Sequence, residues 1–436
     1  MRCMGYEQRL SLIGRLETLR ESTVLCLLTS LRPNVPTVIS EDCVRAMYDH
    51  LLCLPKRPVE KLDLFLCSNG GVGTVSWRIV AALREFCTKL NVLIPYRAYS
   101  AATMIALGAD EIVMHPFAEL GPIDPTVSND FNPVEGNRRV GISVEDVTAY
   151  VDFIKNTVGI THEDELIRAI EVLAQRVHPL ALGNVGRFLS QSRMIARKIL
   201  RTHMKPDEGH IIDEIVENMA SKLYFHGHAI NRKEAINDLH LKVITNLSPE
   251  LETTMWDLYL DFEKEFKNTE IFNPGGDIAA MSPPLAEVQA PAPSPATQPP
   301  APASNTPGSH PASVEEPPSN QSAQIGMALP PAMVQMMQQQ QLPKQKEYEL
   351  LLVMIESARL SSRCTSRNRF TETLIPGPVP QPAVRNDLLA QGWTRQSPSQ
   401  LSHSPNPPKD QSHAGVPLGA TPSQGKQRRK GRHPQA

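Results

Sequence analysis

Apolar residues over roughly the first 270 positions alternate between two spacings, and this alternation predicts an α/β fold. Leu10, Ile13 and Leu16 repeat at the spacing of a helix, whereas residues 62–67 form a short apolar-rich run typical of a strand. Short apolar strands between helices indicate a mainly parallel sheet with helices on both faces. In chain order, helices are predicted within 1–30 and at 44–52, 74–89 and 101–108, and strands at 62–67, 91–96 and 111–114.

The pattern becomes mostly helical after a loop predicted at 126–140. A helix and a short strand are expected within 229–243, and a last helix over 248–266. We therefore predict one α/β domain over residues 1–270. The other helices are predicted at 143–157, 163–176, 181–203 and 207–223.

The composition changes after this domain. Many of the 39 prolines lie in a stretch rich in Pro, Ala and Gln, which we interpret as a disordered linker over 271–345. The apolar run within 346–361 predicts a short amphipathic helix. Residues 362–436 are predicted to be a disordered tail whose basic run at 426–432 is a solvated end.

Charge and cysteine content narrow the function classes. The formal net charge of −2 provides no basic field for specific nucleic-acid binding. The seven cysteines form no C-x-x-C pair, so we expect reduced thiols and neither disulfides nor a structural zinc site. The sequence shows no signal peptide and no apolar run of the length that a membrane-spanning helix needs, which predicts a cytoplasmic protein.

The first loop with candidate chemistry follows the strand at 62–67. It reads Ser68-Asn69-Gly70-Gly71, and two successive glycines allow backbone conformations that leave N–H groups uncovered. Such amides are suited to half of an oxyanion hole. An ordinary turn between a strand and a helix is the alternative.

The second loop contains Ser100, between a predicted strand and a helix that begins at Ala101 and consists of small residues. The start of a helix offers unpaired N–H groups that favour a developing negative charge. Small neighbours leave room for a substrate carbonyl to reach the hydroxyl. The alternative is that Ser100 only caps the helix.

Parallel strands bring their carboxyl ends to one edge of a sheet, where ligands bind in open α/β folds. The two loops are therefore expected to meet, with Ser100 facing the amide of Gly70.

Four motifs in this order resemble the serine dehydrogenase proteinase family, a relative of ClpP and of signal peptide peptidase A in the ClpP/crotonase superfamily. The resemblance covers about 10–265 and implies a spiral α/β core that usually oligomerises. It also implies that Ser100 is the nucleophile and that amides of Gly70, Gly71 and Ala101 form the oxyanion hole. The motifs read SNGG, AYSAATMIALGADEIVM, ELGPIDP and HGHAINRKEAINDLHLKV, and HPLALGNVGRFL also matches.

The general base is not decided by this resemblance, because no histidine lies where ClpP has one. Asp124 could orient a base or a water, Lys155 could form a Ser–Lys dyad after losing its proton, and His226 could act if its turn folds over the serine. Lys222 and His115 are weaker alternatives. Each of these residues also has an ordinary structural interpretation.

Three functions are compatible with the sequence. The leading hypothesis is a serine hydrolase, a peptidase that acts through an acyl-enzyme at Ser100 on peptide or protein substrates. The alternatives are a non-catalytic scaffold that keeps the fold without the base, and a crotonase-type acyl-CoA enzyme. We expect a homo-oligomer without a cofactor or metal, and membrane association enters only through the resemblance.

Overall fold

The computed structural model of the protein describes residues 5–123, 126–127, 134–135, 138–139, 142–222, 228–281, 343–375 and 381–398. Within 126–146, at 185 and at 221–222 it describes the backbone alone. The predicted disordered linker, 271–345, lies outside the described residues over 282–342, and the predicted solvated basic end, 426–432, lies outside them completely. The linker prediction was wrong at its two described ends: residues 274–280 form a helix in which Ile278 is buried, and a strand begins at Gln345.

Helices surround the sheet, and most follow the predicted apolar spacing. The helices are α1 (Gly5–Arg20), α2 (Glu41–Leu52), α3 (Gly73–Phe86), α4 (Ala101–Ala106), α5 (Val144–Asp152), α6 (Glu163–Ala174), α7 (Pro179–Leu200), α8 (Gly209–Glu217), α9 (Arg232–Asn237), α10 (Pro249–Phe266) and α11 (Pro274–Ala280). Single π-helical turns, Phe153–Thr157 and Asn218–Lys222, extend α5 and α8, and a 3-10 turn, Pro206–Glu208, precedes α8.

The strands divide into a large sheet and short pairs. They are β1 (Thr23–Thr29), β2 (Val59–Cys67), β3 (Cys87–Ile94), β4 (Arg97–Ala98), β5 (Glu111–Met114), β6 (Glu119–Leu120), β7 (Thr126–Val127), β8 (Val134–Glu135), β9 (Arg138–Arg139), β10 (Ile142–Ser143), β11 (Val243–Ile244), β12 (Gln345–Ser357), β13 (Ser361–Ile375) and β14 (Gln381–Gln396).

The large sheet has eight strands in the order β11-β5-β3-β2-β1-β12-β13-β14. The first five pair in parallel, and the last three add to β1 in antiparallel fashion. Leu64 of β2 is the register partner of Leu25 on one side and of Val92 on the other. The predicted α/β fold with a mainly parallel sheet and flanking helices is therefore confirmed.

Both faces of the sheet are covered, as expected for parallel strands. Alternate side chains of β2 point to opposite faces, so Leu64 and Leu66 join one core and Phe65 joins the other. The first core is completed by residues of α2, α3, α4, α7 and α8. The second core is completed by residues of α1 and α10.

The C-terminal prediction was wrong where the structure describes it. Residues 346–361 do not form a helix, because β12 covers Gln345–Ser357 and pairs with β1 inside the large sheet. The predicted disordered tail over 362–436 contains most of β13 and all of β14. Burial against neighbouring strands stabilises β12, with Val353, Met354 and Ile355 all buried. An unbroken apolar run of this kind fits a buried strand as well as a helix.

No described helix is both long enough and apolar enough to cross a lipid bilayer.

Candidate active site

The loops after β2 and β4 meet at the carboxyl edge of the parallel strands. The backbone N–H of Ser68 donates to the carbonyl oxygen of Arg97 at 3.0 Å, and the N–H of Tyr99 donates to the carbonyl oxygen of Ser68, also at 3.0 Å. These two bonds continue the sheet for one residue beyond β2. They place the glycine loop directly beside the residue that precedes Ser100.

Gly70 and Ser100 are in close contact. A Cβ atom built on Gly70 would lie 2.6 Å from the carbonyl oxygen of Tyr99 and 2.8 Å from Cβ of Ser100. Gly70 also has a φ of +106°, a conformation that residues with a side chain rarely adopt. Any side chain at this position would therefore be strained and would collide with the Ser100 loop unless that loop shifted.

Ser100 has an unusual backbone conformation, with φ +50° and ψ −113°. A positive φ at a residue other than glycine is uncommon and clusters at functional sites. The Ser100 side chain makes no capping bond to α4, so the helix-cap interpretation has no support. The residue is half-buried, and the described residues offer its hydroxyl no hydrogen-bond partner.

Buried hydroxyls hold the turn around Ser100 from below. The Ser76 hydroxyl donates to the carbonyl oxygen of Ala101 at 2.8 Å. The Thr103 hydroxyl lies 2.7 Å from the carbonyl oxygen of Ala98 and accepts the Gly121 N–H at 3.2 Å. Both side chains are fully buried, so these bonds fix the strained turn from the interior of the protein.

The backbone amides of the site differ in their partners. The N–H of Gly70, which was expected to face Ser100, donates to Oγ of Ser68 at 3.0 Å. In the part of the chain that the structure describes, the amides of Gly71 and Ala101 have no acceptor. Ala101 is the first residue of α4, where an N–H has no acceptor within its own helix.

Lys155 has no described contact with the Ser100 loop. It is exposed in the π-helical turn that follows α5 and lines a small cavity of about 90 Å³ with Tyr150, Ile154 and Leu166.

Asp124 and His226 lie outside the described residues, as does the side chain of Lys222. The segments that flank them are nevertheless close to the site. Leu120 of β6 and Ile230 exchange two backbone hydrogen bonds, of 2.9 and 2.8 Å. β6 in turn pairs with β4, which ends two residues before Ser100.

His115 belongs to an aromatic cluster and has no described contact with Ser100. Its ring stacks on that of Trp256 at 5.0 Å between centroids, and its Nδ1 accepts the N–H of Phe117 at 3.2 Å. Desolvation by burial lowers the pKa of His115 below its usual range. The neutral ring of His115 is therefore part of the packing of this aromatic cluster, and no described contact supports it as the general base.

The sequence interpretation missed Thr29 and gave Ser68, the first residue of the glycine loop, no role of its own. Thr29 and Ser68 are buried at the ends of β1 and β2, and the hydroxyl of Thr29 donates to Oγ of Ser68 at 2.8 Å. A polar residue that directly follows an apolar strand was the available signal. The described residues contain no group of three or more His, Cys, Asp or Glu side chains that could hold a metal ion.

Comparison with known families supports the resemblance noted in the sequence. Residues 38–136 match the family described as ClpP-like SDH-type serine proteinase, and the matched segment contains both loops of the candidate site. The predicted resemblance is therefore confirmed over this segment. Together with the mostly parallel sheet and its flanking helices, the match identifies the fold as ClpP-like.

Two uncharacterized proteins of Methanocaldococcus jannaschii are similar to parts of the chain. One is 37% identical over 100 residues, which cover 22% of this chain and 34% of the relative. The other is 30% identical over 122 residues, which cover 27% of this chain and 42% of the relative. The chain thus spans less than half the length of these curated relatives.

Solved structures that are similar to part of the chain include two of the 1510-N membrane-bound stomatin-specific protease. One is a mutant at 14% identity and a TM-score of 0.30, covering 53% of this chain and 84% of that chain. The other is a mutant in complex with a substrate peptide, at 13% identity and a TM-score of 0.32, covering 53% of this chain and 78% of that chain.

Proposed function

We propose that the protein is a serine peptidase of the ClpP-like type that forms an acyl-enzyme at Ser100. The observation that carries this proposal is the contact between Gly70 and Ser100. The Ser100 hydroxyl is half-buried and has no described hydrogen-bond partner. It lies beside the glycine loop and at the start of α4. The match of residues 38–136 to a serine proteinase family supports the same chemistry.

In this mechanism Oγ of Ser100 attacks the carbonyl carbon of a peptide bond, and its proton passes to a general base. The carbonyl oxygen becomes an oxyanion, which backbone N–H groups stabilise by hydrogen bonds. The amides of Gly71 and Ala101 are the proposed donors, because neither has a described acceptor whereas that of Gly70 does. The carbon–nitrogen bond then breaks as the base returns the proton to the leaving amine, and the base next takes a proton from water, which hydrolyses the ester bond to Ser100.

The described residues that flank two of the base candidates are hydrogen-bonded to one another at β6 or just after it. The segment that contains His226 is flanked by Met219 and Ile230, and both of these bond to the chain just before Asp124. This proximity supports His226 and Asp124 as base candidates. Lys155 is a third candidate, although its described neighbours are other residues.

The proposed substrates are peptides or proteins, because the matched family is a serine proteinase family. Assembly into a homo-oligomer is proposed from the same resemblance. The non-catalytic scaffold remains the second candidate function, and it is favoured by one observation. No described side chain accepts the proton of the Ser100 hydroxyl.

A fluorophosphonate probe tests the proposal, because it reacts with activated serine hydroxyls. We expect the full-length protein to be labelled at Ser100 and Ser100→Ala to be unlabelled. The control Ser190→Ala removes an exposed hydroxyl on α7 and should leave labelling unchanged. An unlabelled but folded protein would contradict the proposal and favour the scaffold. Calorimetric binding of a CoA thioester would instead favour the crotonase alternative.

A further inference from the structure

Two buried hydroxyls meet beneath the glycine loop. Leu28 of β1 and Cys67 of β2 are register partners at the ends of parallel strands, so the residues that follow them lie side by side. Those residues are Thr29, which is 2% exposed, and Ser68, which is fully buried. The hydroxyl of Thr29 donates to Oγ of Ser68 at 2.8 Å.

Oγ of Ser68 connects this pair to the glycine loop. It accepts the N–H of Gly70 at 3.0 Å, and it lies 3.4 Å from the carbonyl oxygen of Gly70. A hydroxyl oxygen has two lone pairs, and here Thr29 and Gly70 occupy both. The Gly70 amide is therefore held by the protein itself.

The opposite side of the loop is held by Ile39. The N–H of Ile39 donates to the carbonyl oxygen of Gly70 at 2.8 Å, and the N–H of Val72 donates to the carbonyl oxygen of Ile39 at 2.9 Å. In extended backbone, a carbonyl and the N–H two residues later point to the same side. The N–H of Gly71, the residue between them, therefore points away from Ile39.

We propose that Ser68 and Thr29 are positioning residues of the oxyanion hole, an inference that rests on the proposed peptidase function. Ser68 binds the Gly70 amide and so makes the Gly71 amide the free donor at the site. Thr29 holds the Ser68 side chain in the conformation that does this. Two successive glycines restrict the backbone dihedral angles only weakly. The loop therefore needs this hydrogen bond to keep its amides in one orientation.

The experiment measures the rate of fluorophosphonate labelling of Ser100 at several probe concentrations in the full-length protein. This separates the limiting rate of covalent reaction from the half-saturating concentration of probe. We expect Ser68→Ala to lower the limiting rate by about 10- to 100-fold, since outright loss of an oxyanion donor costs about 100- to 1000-fold. Thr29→Val should lower it less, and the half-saturating concentration should change little in both variants.

Two matched variants control for loss of buried hydroxyls in general. Ser362→Ala removes a fully buried hydroxyl bound to His50, and Thr254→Val removes a buried hydroxyl bound to the carbonyl oxygen of Glu250. Both should destabilise the protein to a similar degree and keep the limiting rate of the folded fraction.

The outcomes distinguish the positioning role of Ser68 and Thr29 from the proposed peptidase function. If the wild-type protein is labelled and Ser68→Ala reacts as fast as Ser362→Ala, the positioning role is overturned and the peptidase proposal stands. If the folded wild-type protein is not labelled, both are overturned. A selective loss of limiting rate in Ser68→Ala and Thr29→Val supports both.

Discussion

Arg9 and Glu356 form a fully buried ion pair that joins the first helix to the C-terminal strands. Nε of Arg9 lies 2.7 Å from one carboxylate oxygen of Glu356, and neither side chain is exposed. The second oxygen accepts from Arg9 at 3.0 Å and from the Ser361 hydroxyl at 2.7 Å. The C-terminal strands are thus an integral part of the α/β domain rather than an appendage.

Removing one partner of this pair should strongly destabilise the fold. Glu356→Gln would leave the buried Arg9 charge paired only with Asp261 and Glu265, whose side chains are partly exposed. We expect the free energy of unfolding to fall by about 3 kcal/mol, the lower end of the range for breaking a buried ion pair. Urea unfolding followed by circular dichroism measures the change.

Glu250→Gln is the matched control for this prediction. Glu250 pairs with Arg15 at 2.8 Å, but about half of each side chain is exposed. An exposed pair contributes less than about 1 kcal/mol, so this variant should unfold almost as the wild type does. Equal decreases in the free energy of unfolding for the two substitutions would show that the buried pair stabilises the fold no more than the exposed pair does.

The fold was predictable from the sequence where contacts are local. The bounds of β5 agree with the predicted strand, and α10 lies within one residue of the predicted helix. β12 was not predictable, because its partner β1 lies more than 300 residues earlier in the chain. In addition, an unbroken apolar run is equally typical of a buried strand and of a buried helix. β13 was missed since buried serines, such as Ser361 and Ser362, resemble a loop in composition.

His50 should make the stability of the protein depend on pH. Burial lowers the pKa of His50 to about 3, with a smaller contribution from the charge of Arg395, and its ring nitrogens lie 3.2 and 3.1 Å from the hydroxyls of Ser357 and Ser362. In the unfolded chain the pKa is about 6.5. As the pH falls, His50 therefore binds a proton in the unfolded state before it does so in the folded state. The free energy of unfolding decreases as the pH falls from about 6.5 towards 3.

The expected loss is up to about 1.4 kcal/mol per pH unit within this window. His50→Gln should flatten the dependence of the urea midpoint on pH, whereas His210→Gln, at an exposed position, should not. Part of the dependence will remain, because desolvation also lowers the pKa of His203, to about 4. Identical slopes for wild type and His50→Gln would contradict the prediction.

Gly70→Ala should disrupt the candidate site. The new Cβ would lie 2.6 Å from the carbonyl oxygen of Tyr99, and alanine disfavours a φ of +106°. We expect fluorophosphonate labelling of Ser100 to fall by at least about 100-fold, as when an oxyanion donor is lost. The thermal midpoint should also fall.

The control for this prediction is Gly73→Ala at the start of α3. The nearest side-chain atom to its added Cβ would be the sulfur of Met104, at an ordinary contact distance of 3.6 Å. This variant should be labelled normally. Normal labelling of Gly70→Ala as well would mean that the loop does not contribute to the reaction.

The convergence of two loops followed from the general geometry of parallel strands, so the contact between Gly70 and Ser100 was predictable. The direction of each amide was not, because it depends on a single hydroxyl. Ser68 binds the Gly70 N–H, and sequence patterns carry no information on which of two adjacent amides is bound. The positive φ of Ser100 likewise arises only in the folded backbone.

The three base candidates make different predictions for the dependence of labelling on pH. A general base contributes about 100- to 10,000-fold, so the correct substitution among His226→Asn, Asp124→Asn and Lys155→Met should reduce the labelling rate by at least about 100-fold. It should also remove the rise in rate that accompanies deprotonation of that base.

Because the chain entering and leaving the His226 segment is hydrogen-bonded next to β6, we expect the large effect at His226 or Asp124. Lys155→Met, at an exposed position lining a separate cavity, should then serve as the control with a near wild-type profile. A large loss in Lys155→Met alone would instead show that a Ser–Lys pair forms, with the lysine brought to Ser100 by a rearrangement or by a second subunit.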